Sequence, residues 1–519
     1  MIRGVLRRAA AAVLAAGVAV ALVAGCTPKQ SSQEQPAPHR TPVTQGAPAG
    51  FERYYGQEID WESCRGIDDG TYYCASITAP EDWADAGGDD IELSVIVRLA
   101  SSGTAKGSLF VNPGGPGASG VDMVQQAADF AVGDDLLDSY DVVGFDPRGV
   151  GRSTAVRCFD SDAMDRYLFD IPSAPRGSKE RASEQQASAE SFARACDVNS
   201  DGLLPFVTTE SAARDLDLLR GVLGDEKLSY LGYSYGSFLG ATYAELFPQN
   251  VGRVVLDGGL DPSIPSAIVG ARQAAGFQSA FDAYLERCLT GSDCPFTGTV
   301  ADARQQMADA LTAVDARRLT ATDGRKLGAD SLVTGIVSAL YSEGNWSTLS
   351  SALTGVLEGD ADDMFELVDR YYNRYDGQYL DNSTEAFSAY NCMDYPADPE
   401  DVVAEANAEV AQKAPTFAPY WSSDVSLCDA WPYPPTGTRD EIHADGAAPI
   451  LVIGTTNDPA TPYEWSAALA EQLSSGILLT RVGEGHTGFN KGNACIDDAV
   501  VAYFENDTVP DGDLRCEAP

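Results

Sequence analysis

The pentapeptide Gly-Tyr-Ser-Tyr-Gly at residues 232–236 places one serine between an apolar run at 228–232 and a stretch rich in Gly and Ala. A sharp strand-to-helix turn of this kind raises a serine hydroxyl above the edge of a sheet, and small flanking residues let strand and helix pack closely. The context predicts that Ser234 is a nucleophile for acyl transfer. The structural alternative is a glycine-rich turn whose serine caps the following helix.

A serine hydroxyl needs a base before it becomes a nucleophile, and the sequence holds only 3 histidines. His39 lies in a polar N-terminal stretch, and His443 precedes an apolar run at 449–454. His486 follows the run at 477–482 and has glycines on both sides. Because such a loop can present an imidazole to a neighbouring strand end, we expect His486 to be the base.

A carboxylate must orient the imidazole and stabilise its protonated form. Asp458 lies just beyond the run at 449–454, and helix-start signals from Thr461 onward leave it in a loop that is free to face the base. The order Ser, acid, His is also that of the α/β-hydrolase triad. Asp458 is therefore the predicted acid, and Asp257, at the end of the run at 251–257, is the rival.

Acyl transfer also needs N–H donors for the tetrahedral oxyanion. The backbone N–H of Tyr235 is one candidate because it follows the nucleophile directly. The second is expected in the loop Asn-Pro-Gly-Gly-Pro-Gly at 112–117, with Gly115 as first choice and Gly114 as the next. The Asp-Pro-Arg-Gly segment at 146–149 is predicted to brace this loop through an Asp–Arg pair.

The elements that must position these residues alternate between short apolar runs and helical patterns. This alternation predicts a mostly parallel sheet flanked by helices, and together with the Ser234 turn and the order of the triad it indicates an α/β-hydrolase fold. It stops at residue 262 and resumes near 441, so a mainly helical cap is expected before the last strands. The predicted boundaries are 51–261 for the first part of the core, 262–440 for the cap and 441–519 for the rest.

The N-terminus predicts export. A positive start, an apolar run and small residues before Cys26 are typical of a signal peptide over residues 1–25. Cys26 resembles a lipobox cysteine, which predicts a lipid anchor at the outer face of the cell membrane. An ordinary signal peptide with a chance cysteine is the alternative, and partial secretion stays open. Residues 26–50, rich in Gln, Ser and Pro, are predicted to form a disordered tether.

Without Cys26, ten of the 11 cysteines remain, and an even number in an exported chain suggests disulfides. Their order along the chain favours local pairs, although sequence leaves the connectivity open: Cys64–Cys74, Cys158–Cys196, Cys288–Cys294, Cys392–Cys428 and Cys495–Cys516. No zinc-ligand spacing is present, so neither a metal nor another cofactor is expected. The formal net charge of −42 makes nucleic acid an improbable partner.

Five motifs follow one another along the chain in this order: Asn-Pro-Gly-Gly-Pro-Gly, Asp-Pro-Arg-Gly-Val-Gly-Arg-Ser, Gly-Tyr-Ser-Tyr-Gly, Asp-Pro-Ala-Thr-Pro and Gly-x-Gly-His. As a set they resemble the exported bacterial tripeptidyl aminopeptidases, α/β-hydrolases related to proline iminopeptidases. The resemblance covers residues 60–519. It implies release of short peptides, typically tripeptides, from free N-termini, and it implies the same Ser-Asp-His triad. Pro113 stands where proline iminopeptidases carry a histidine, which sets this chain apart from them.

An exopeptidase needs a carboxylate for the substrate's ammonium and a wall that limits how much peptide enters. Asp394 in the predicted cap is the first candidate, with a surface aspartate as the alternative. A carboxylesterase or lipase could use the same triad, and a non-catalytic envelope-binding protein could keep the scaffold. Residue preferences, the physiological target and the oligomeric state stay open.

Overall fold

A computed structural model describes residues 37–67, 70–421 and 427–518 of the 519-residue chain. Within these ranges a sheet of ten strands has the order β1-β2-β3-β5-β4-β6-β7-β12-β13-β14. All pairs from β5 through β14 are parallel, and the pairs from β1 to β5 are antiparallel. The strands are β1 (Glu62–Ser63), β2 (Tyr72–Pro80), β3 (Asp90–Arg98), β4 (Ser108–Asn112), β5 (Asp141–Phe145), β6 (Leu228–Tyr233), β7 (Val251–Asp257), β8 (Leu319–Thr320), β9 (Lys326–Leu327), β10 (Arg374–Tyr375), β11 (Gln378–Tyr379), β12 (Ile450–Asn457), β13 (Gly476–Glu484) and β14 (Leu514–Cys516).

The helices divide between the two faces of the sheet and the insertion between β7 and β12. They are α1 (Glu52–Tyr55), α2 (Gly120–Ser139), α3 (Ser161–Phe169), α4 (Lys179–Asn199), α5 (Thr209–Val222), α6 (Tyr235–Leu246), α7 (Ser266–Cys288), α8 (Val300–Arg317), α9 (Ala329–Leu340), α10 (Trp346–Glu358), α11 (Asp362–Tyr371), α12 (Ser383–Asp394), α13 (Glu400–Lys413), α14 (Ala418–Trp421), α15 (Tyr463–Gln472) and α16 (Ala494–Asn506).

The central strands are apolar throughout because both faces of the sheet are covered. Every residue of β4, β5 and β6 is buried. Alternate residues point to opposite faces, so Phe110 joins one core cluster, whereas Leu109 and Val111 join the other. The predicted sheet, flanked by helices, is confirmed.

The cap is also confirmed as part of the fold. Strands β7 and β12 are neighbours in the sheet, with Val254 opposite Ile450. The chain between them forms helices α7 to α14 and the two small ribbons β8–β9 and β10–β11. These helices have their own apolar cluster, which includes Phe281, Leu311 and Leu353. An independent core of this kind lets the insertion pack over the sheet as a unit.

The predicted disordered tether at 26–50 needs correction. Residues 37–50 pack along the core: the Arg40 guanidinium lies 2.5 Å from Asp141 and 3.2 Å from Asp225. These ion pairs are partly buried and tie the segment to the start of β5 and to the loop before β6. Residues before 37, which include Cys26 and the predicted signal peptide at 1–25, lie outside the described residues.

The ten cysteines form the five local pairs favoured by their order along the chain. The Cys392–Cys428 disulfide joins the end of cap helix α12 to the segment that returns to the core. No helix within the described ranges has the length and apolar character needed to cross a membrane.

Candidate active site

Ser234 lies between β6 and α6 with φ 56° and ψ −123°, a strained conformation for a residue with a side chain. The flanking glycines are required by packing. A Cβ at Gly232 would lie 2.3 Å from the Gly236 carbonyl oxygen, and a Cβ at Gly236 would lie 2.8 Å from the Asn112 carbonyl oxygen. The sequence therefore folds into the sharp strand-to-helix turn that was predicted, with Ser234 at its apex.

The loop at 112–117 packs directly against this turn. A Cβ at Gly114 would lie 2.4 Å from the Tyr233 carbonyl oxygen and 3.0 Å from the Tyr235 nitrogen. Gly114 and Gly115 both have positive φ, 90° and 110°, which a glycine adopts without strain. The structure thus brings together the loop that contains Gly115 and the residue that follows Ser234, the two predicted sources of oxyanion donors.

Asp458 and His486 form a close pair. The Nδ1 atom of His486 lies 2.9 Å from each carboxylate oxygen of Asp458, which is 2% exposed. The carboxylate also accepts backbone N–H bonds from Ala460, Thr461 and Thr487 at 2.9, 2.9 and 3.0 Å. With Asp458 as acceptor, the proton of a neutral imidazole belongs on Nδ1, and Nε2 is left free to take a proton.

His486 reaches the edge of the sheet where Ser234 lies. The Ser234 N–H donates to the Asp257 carbonyl oxygen at 2.8 Å, and a Cβ on the next residue, Gly258, would lie 3.2 Å from His486 Cε1. Glycine at 258 therefore leaves room for the imidazole. In the described part of the chain the Ser234 hydroxyl and the imidazole are not hydrogen bonded; such bonds often tighten only when substrate is bound.

Asp257, the rival acid, has a different set of partners. Its two carboxylate oxygens accept the N–H groups of Gly488 and Phe489 at 2.8 Å each. Complete burial raises its pKa to about 6, although these hydrogen bonds oppose the shift. Asp257 therefore holds the loop that follows His486, whereas the imidazole is bonded to Asp458.

Sequence reasoning missed the part played by Thr461. Helix α15 begins at Tyr463, with Pro462 as its N-cap, so Thr461 does not cap it. The Thr461 hydroxyl instead donates to Asp458 at 3.1 Å and lies 3.3 Å from the imidazole Nδ1. The short spacing from the aspartate to this threonine was the available signal, because a turn of that length can fold back on its own carboxylate.

The structure does not place Asp394 where an ammonium could bind, which corrects its predicted role. The side chain is buried, and its oxygens accept the Thr209 N–H at 2.9 Å and the Thr209 hydroxyl at 2.6 Å. Both oxygens are therefore engaged inside the protein. Asp394 joins the end of cap helix α12 to the start of core helix α5.

The predicted Asp–Arg pair in segment 146–149 is also wrong. Arg148 forms a fully buried ion pair with Asp215 on α5, with N–O distances of 2.7 and 2.8 Å. Asp146 accepts the Ser119 hydroxyl at 2.5 Å and the N–H groups of Val121 and Arg152. Asp146 thus holds the start of α2, which directly follows the 112–117 loop, whereas Arg148 joins α5 to the end of β2 through Asp215 and the Pro80 carbonyl oxygen.

The cap covers both sides of this site. The His486 N–H donates to the Tyr341 carbonyl oxygen at 2.9 Å, and the two rings stand edge to face with centroids 5.4 Å apart. On the other side, a Cβ at Gly117 would lie 2.8 Å from the Ser383 carbonyl oxygen of α12. No cluster of three or more His, Cys, Asp or Glu suited to a metal occurs in the residues that the structure describes.

Comparison with known proteins gives relatives along most of the chain. A family model described as TAP-like protein matches residues 414–516. The serine protease Hip1 of Mycobacterium tuberculosis is 35% identical over 482 residues, covering 89% of this chain and 91% of that protein. Carboxylesterase B of the same organism is 37% identical over 505 residues, with 94% coverage of both chains.

The tripeptidyl aminopeptidase of Streptomyces lividans is 29% identical over 485 residues, which cover 91% of this chain and 89% of that protein. These matches span the core and the cap together, so they concern the whole architecture described above. The chain belongs to the tripeptidyl aminopeptidase family of α/β-hydrolases, and it is a serine hydrolase.

Proposed function

We propose that the protein is a serine exopeptidase that releases short peptides, such as tripeptides, from free N-termini through an acyl-enzyme on Ser234. The observation that carries this proposal is the buried Asp458 carboxylate, which lies 2.9 Å from the Nδ1 atom of His486 and leaves Nε2 free. The His486 loop and the Ser234 turn meet at the same edge of the sheet, which supports their use as base and nucleophile.

In the proposed reaction the Ser234 Oγ forms a bond to the scissile carbonyl carbon while its proton moves to His486 Nε2. The carbonyl electron pair becomes an oxyanion, for which the N–H groups of Gly115 and Tyr235 are the proposed donors. The C–N bond then breaks, and the leaving amine takes the proton from the imidazolium. Water, deprotonated by His486, hydrolyses the ester and releases the peptide, with Asp458 ionised throughout.

An enzyme that acts only on peptides with a free N-terminus needs a carboxylate that can bind the substrate's ammonium group and has no other partner. We propose Glu385 for this role in place of Asp394. Glu385 is 8% exposed, and no other described residue donates a hydrogen bond to its carboxylate. It lines a cavity of about 980 Å³ between the core and α12. Burial raises the pKa of Glu385 to about 7, and the positive charge of a bound ammonium group would favour the ionised carboxylate.

The position of this cavity suits the proposal. Ala386, the next residue on α12, lies against Gly117, so the cavity wall begins beside the proposed oxyanion loop. An extended tripeptide spans about 10 Å, so the proposal requires the ammonium site to lie about that far from the scissile carbonyl. Arg152, which also lines the cavity, is paired with Asp122 at 2.7 Å and is therefore engaged.

The test compares a free tripeptide anilide, its N-acetylated form and a simple acyl ester. We expect strong cleavage of the free peptide only, and Glu385→Gln should raise its KM about 10-fold while leaving the residual rate on the acetylated form unchanged. Glu366→Gln, which changes an exposed cap glutamate, is the matched control. Equal cleavage of the blocked peptide would remove the aminopeptidase proposal.

A carboxylesterase is the second candidate function, favoured by the full-length similarity to carboxylesterase B. The same nucleophile and base would serve it, because ester and amide hydrolysis share the acyl-enzyme step. The two functions differ in the need for a substrate ammonium. Efficient turnover of the acyl ester, with no loss in Glu385→Gln, would favour the esterase.

We also propose that the protein is exported and anchored through a lipid on Cys26. The five disulfides support an oxidising compartment. Cys26→Ser should stop incorporation of labelled palmitate and move the protein from the membrane fraction to the medium. Unchanged membrane association of that variant would contradict the anchor.

A further inference from the structure

Tyr235, whose N–H is a proposed oxyanion donor, is also held through its side chain. Its hydroxyl lies 2.5 Å from Thr209 Oγ1, in a buried environment. Thr209 Oγ1 gives its single proton to Asp394 at 2.6 Å, while the Thr209 backbone N–H donates to the same carboxylate at 2.9 Å. The Tyr235 hydroxyl must therefore be the donor to Thr209, and the chain of bonds has one direction.

This chain of bonds joins three helices at their ends. Asp394 is the last residue of cap helix α12, Thr209 is the first of α5, and Tyr235 is the first of α6. A carboxylate at the N-terminus of α5 is favoured by the helix dipole and by the unpaired N–H groups there. Burial raises the pKa of Asp394 to about 6, so the side chain is ionised at neutral pH and accepts both bonds.

The same cap helix contacts the other side of the site. The Tyr390 hydroxyl on α12 donates to the Arg148 carbonyl oxygen at 2.9 Å, and its ring centroid lies 5.7 Å from that of Tyr235. Gly117 packs against the backbone of α12 at Ser383. Helix α12 therefore touches both segments that carry the proposed oxyanion donors.

We propose that Asp394 is a positioning residue: through Thr209 it fixes Tyr235 and thereby sets the direction of the Tyr235 backbone N–H in the oxyanion hole. Docking of the cap helix α12 is thus linked to transition-state stabilisation. The inference rests on the proposed acyl-enzyme function, and it concerns a step in which Asp394 never touches the substrate.

The test uses Asp394→Asn, Tyr235→Phe and the double variant. Each single substitution should lower kcat about 10-fold, the value of one lost hydrogen bond, with little change in KM. Affinity for a peptide boronate, whose tetrahedral adduct places an oxygen in the oxyanion hole, should fall by the same factor. Because the two residues act through one chain of bonds, the double variant should lose no more than either single one.

Two further variants separate positioning from stability. Thr209→Ser keeps both donors and should retain kcat, whereas Thr209→Val should behave like Asp394→Asn. Tyr140→Phe removes a comparable buried hydroxyl, which donates to the Phe504 carbonyl oxygen at 2.6 Å elsewhere, and should leave kcat unchanged.

Wild-type kcat and boronate affinity in folded Asp394→Asn and Tyr235→Phe would overturn the inference, as would additive losses in the double variant. If Asp394→Asn or Tyr235→Phe does not fold, the comparison of Thr209→Ser with Thr209→Val tests the inference. Equal kcat values for these two variants would overturn the inference. Failure of the proposed function itself has a different signature, which is retention of activity by Ser234→Ala.

Discussion

At the scale of single residues, the arrangement around His486 depends on one carboxylate with many donors. Asp458 accepts three backbone N–H groups and the Thr461 hydroxyl in addition to the imidazole. Together these bonds hold the carboxylate plane in one orientation. The imidazole consequently has one favoured tautomer and one favoured orientation before any substrate binds.

Asp458→Asn is expected to lower kcat by about 10³- to 10⁴-fold, because an amide cannot stabilise the imidazolium and favours the wrong tautomer. Single-turnover kinetics with an activated ester would locate the loss in acylation. Asp141→Asn is the matched control: Asp141 also accepts a backbone N–H, from Ala100 at 3.0 Å, but it lies at the start of β5. Near-normal activity of Asp458→Asn would transfer the role of the acid to Asp257.

At the scale of elements, the 112–117 loop fits between the Ser234 turn and cap helix α12. Gly114 contacts the turn and Gly117 contacts the helix, both at distances that leave no space for a Cβ. The loop therefore transmits the position of α12 to the backbone around Gly115. A small displacement here moves a proposed donor relative to the reacting carbonyl.

Gly117→Ala is expected to reduce kcat/KM about 100-fold, since its Cβ would meet the Ser383 carbonyl oxygen at 2.8 Å and displace the loop. Gly177→Ala is a matched control because Gly177 also has a positive φ, 76°, yet has nothing within 4 Å of an added Cβ. The control should cost about 1 kcal/mol of stability and leave kcat/KM unchanged. Equal kinetics for the two variants would show that the contact with α12 is unimportant.

At the scale of the whole molecule, the repulsion between surface carboxylates and the burial of other carboxylates both make the folded protein less stable as pH rises. The formal net charge is −42, so ionised carboxylates repel one another across the surface. Burial raises the pKa of Asp257 and Asp394 to about 6 and that of Glu385 to about 7. The carboxylates with lowered pKa, such as Asp90 and Asp302, are exposed and contribute little to stability.

The protein should therefore be more stable at pH 5 than at pH 8. A folded-state pKa above the unfolded value means that the native protein binds more protons between pH 4 and 7; this stabilisation is present at low pH and is lost as pH rises through 6 to 7. We expect Tm to fall by about 3–6 °C between pH 5 and pH 8, and added salt to reduce the decline. A Tm that rises over this interval in a calorimetric series would contradict the prediction.

The local features of the sequence were sufficient to predict the fold and the Ser234 turn, and they favoured the five local disulfides whose connectivity the structure then established. The turn could be predicted because five consecutive residues, with a glycine at each end and the serine between them, are enough to define its backbone conformation, which the structure shows with Ser234 at positive φ. The sheet and the cap could be predicted because buried strands need continuous apolar runs, and these runs stop where the chain leaves the sheet. The catalytic roles of Ser234, Asp458 and His486 stay predictions, but the structure brings Asp458 and His486 together as expected.

Only the tertiary structure decided the partners of buried charges. Asp394 binds Thr209, and Arg148 pairs with Asp215 across 67 residues. Neither partner is signalled by local spacing, because a buried carboxylate takes whichever donors the packing of helix ends brings to it. The packed conformation of residues 37–50 was decided in the same way. Their polar composition predicts disorder, but the ion pairs of Arg40 form only with residues that the folded core brings together.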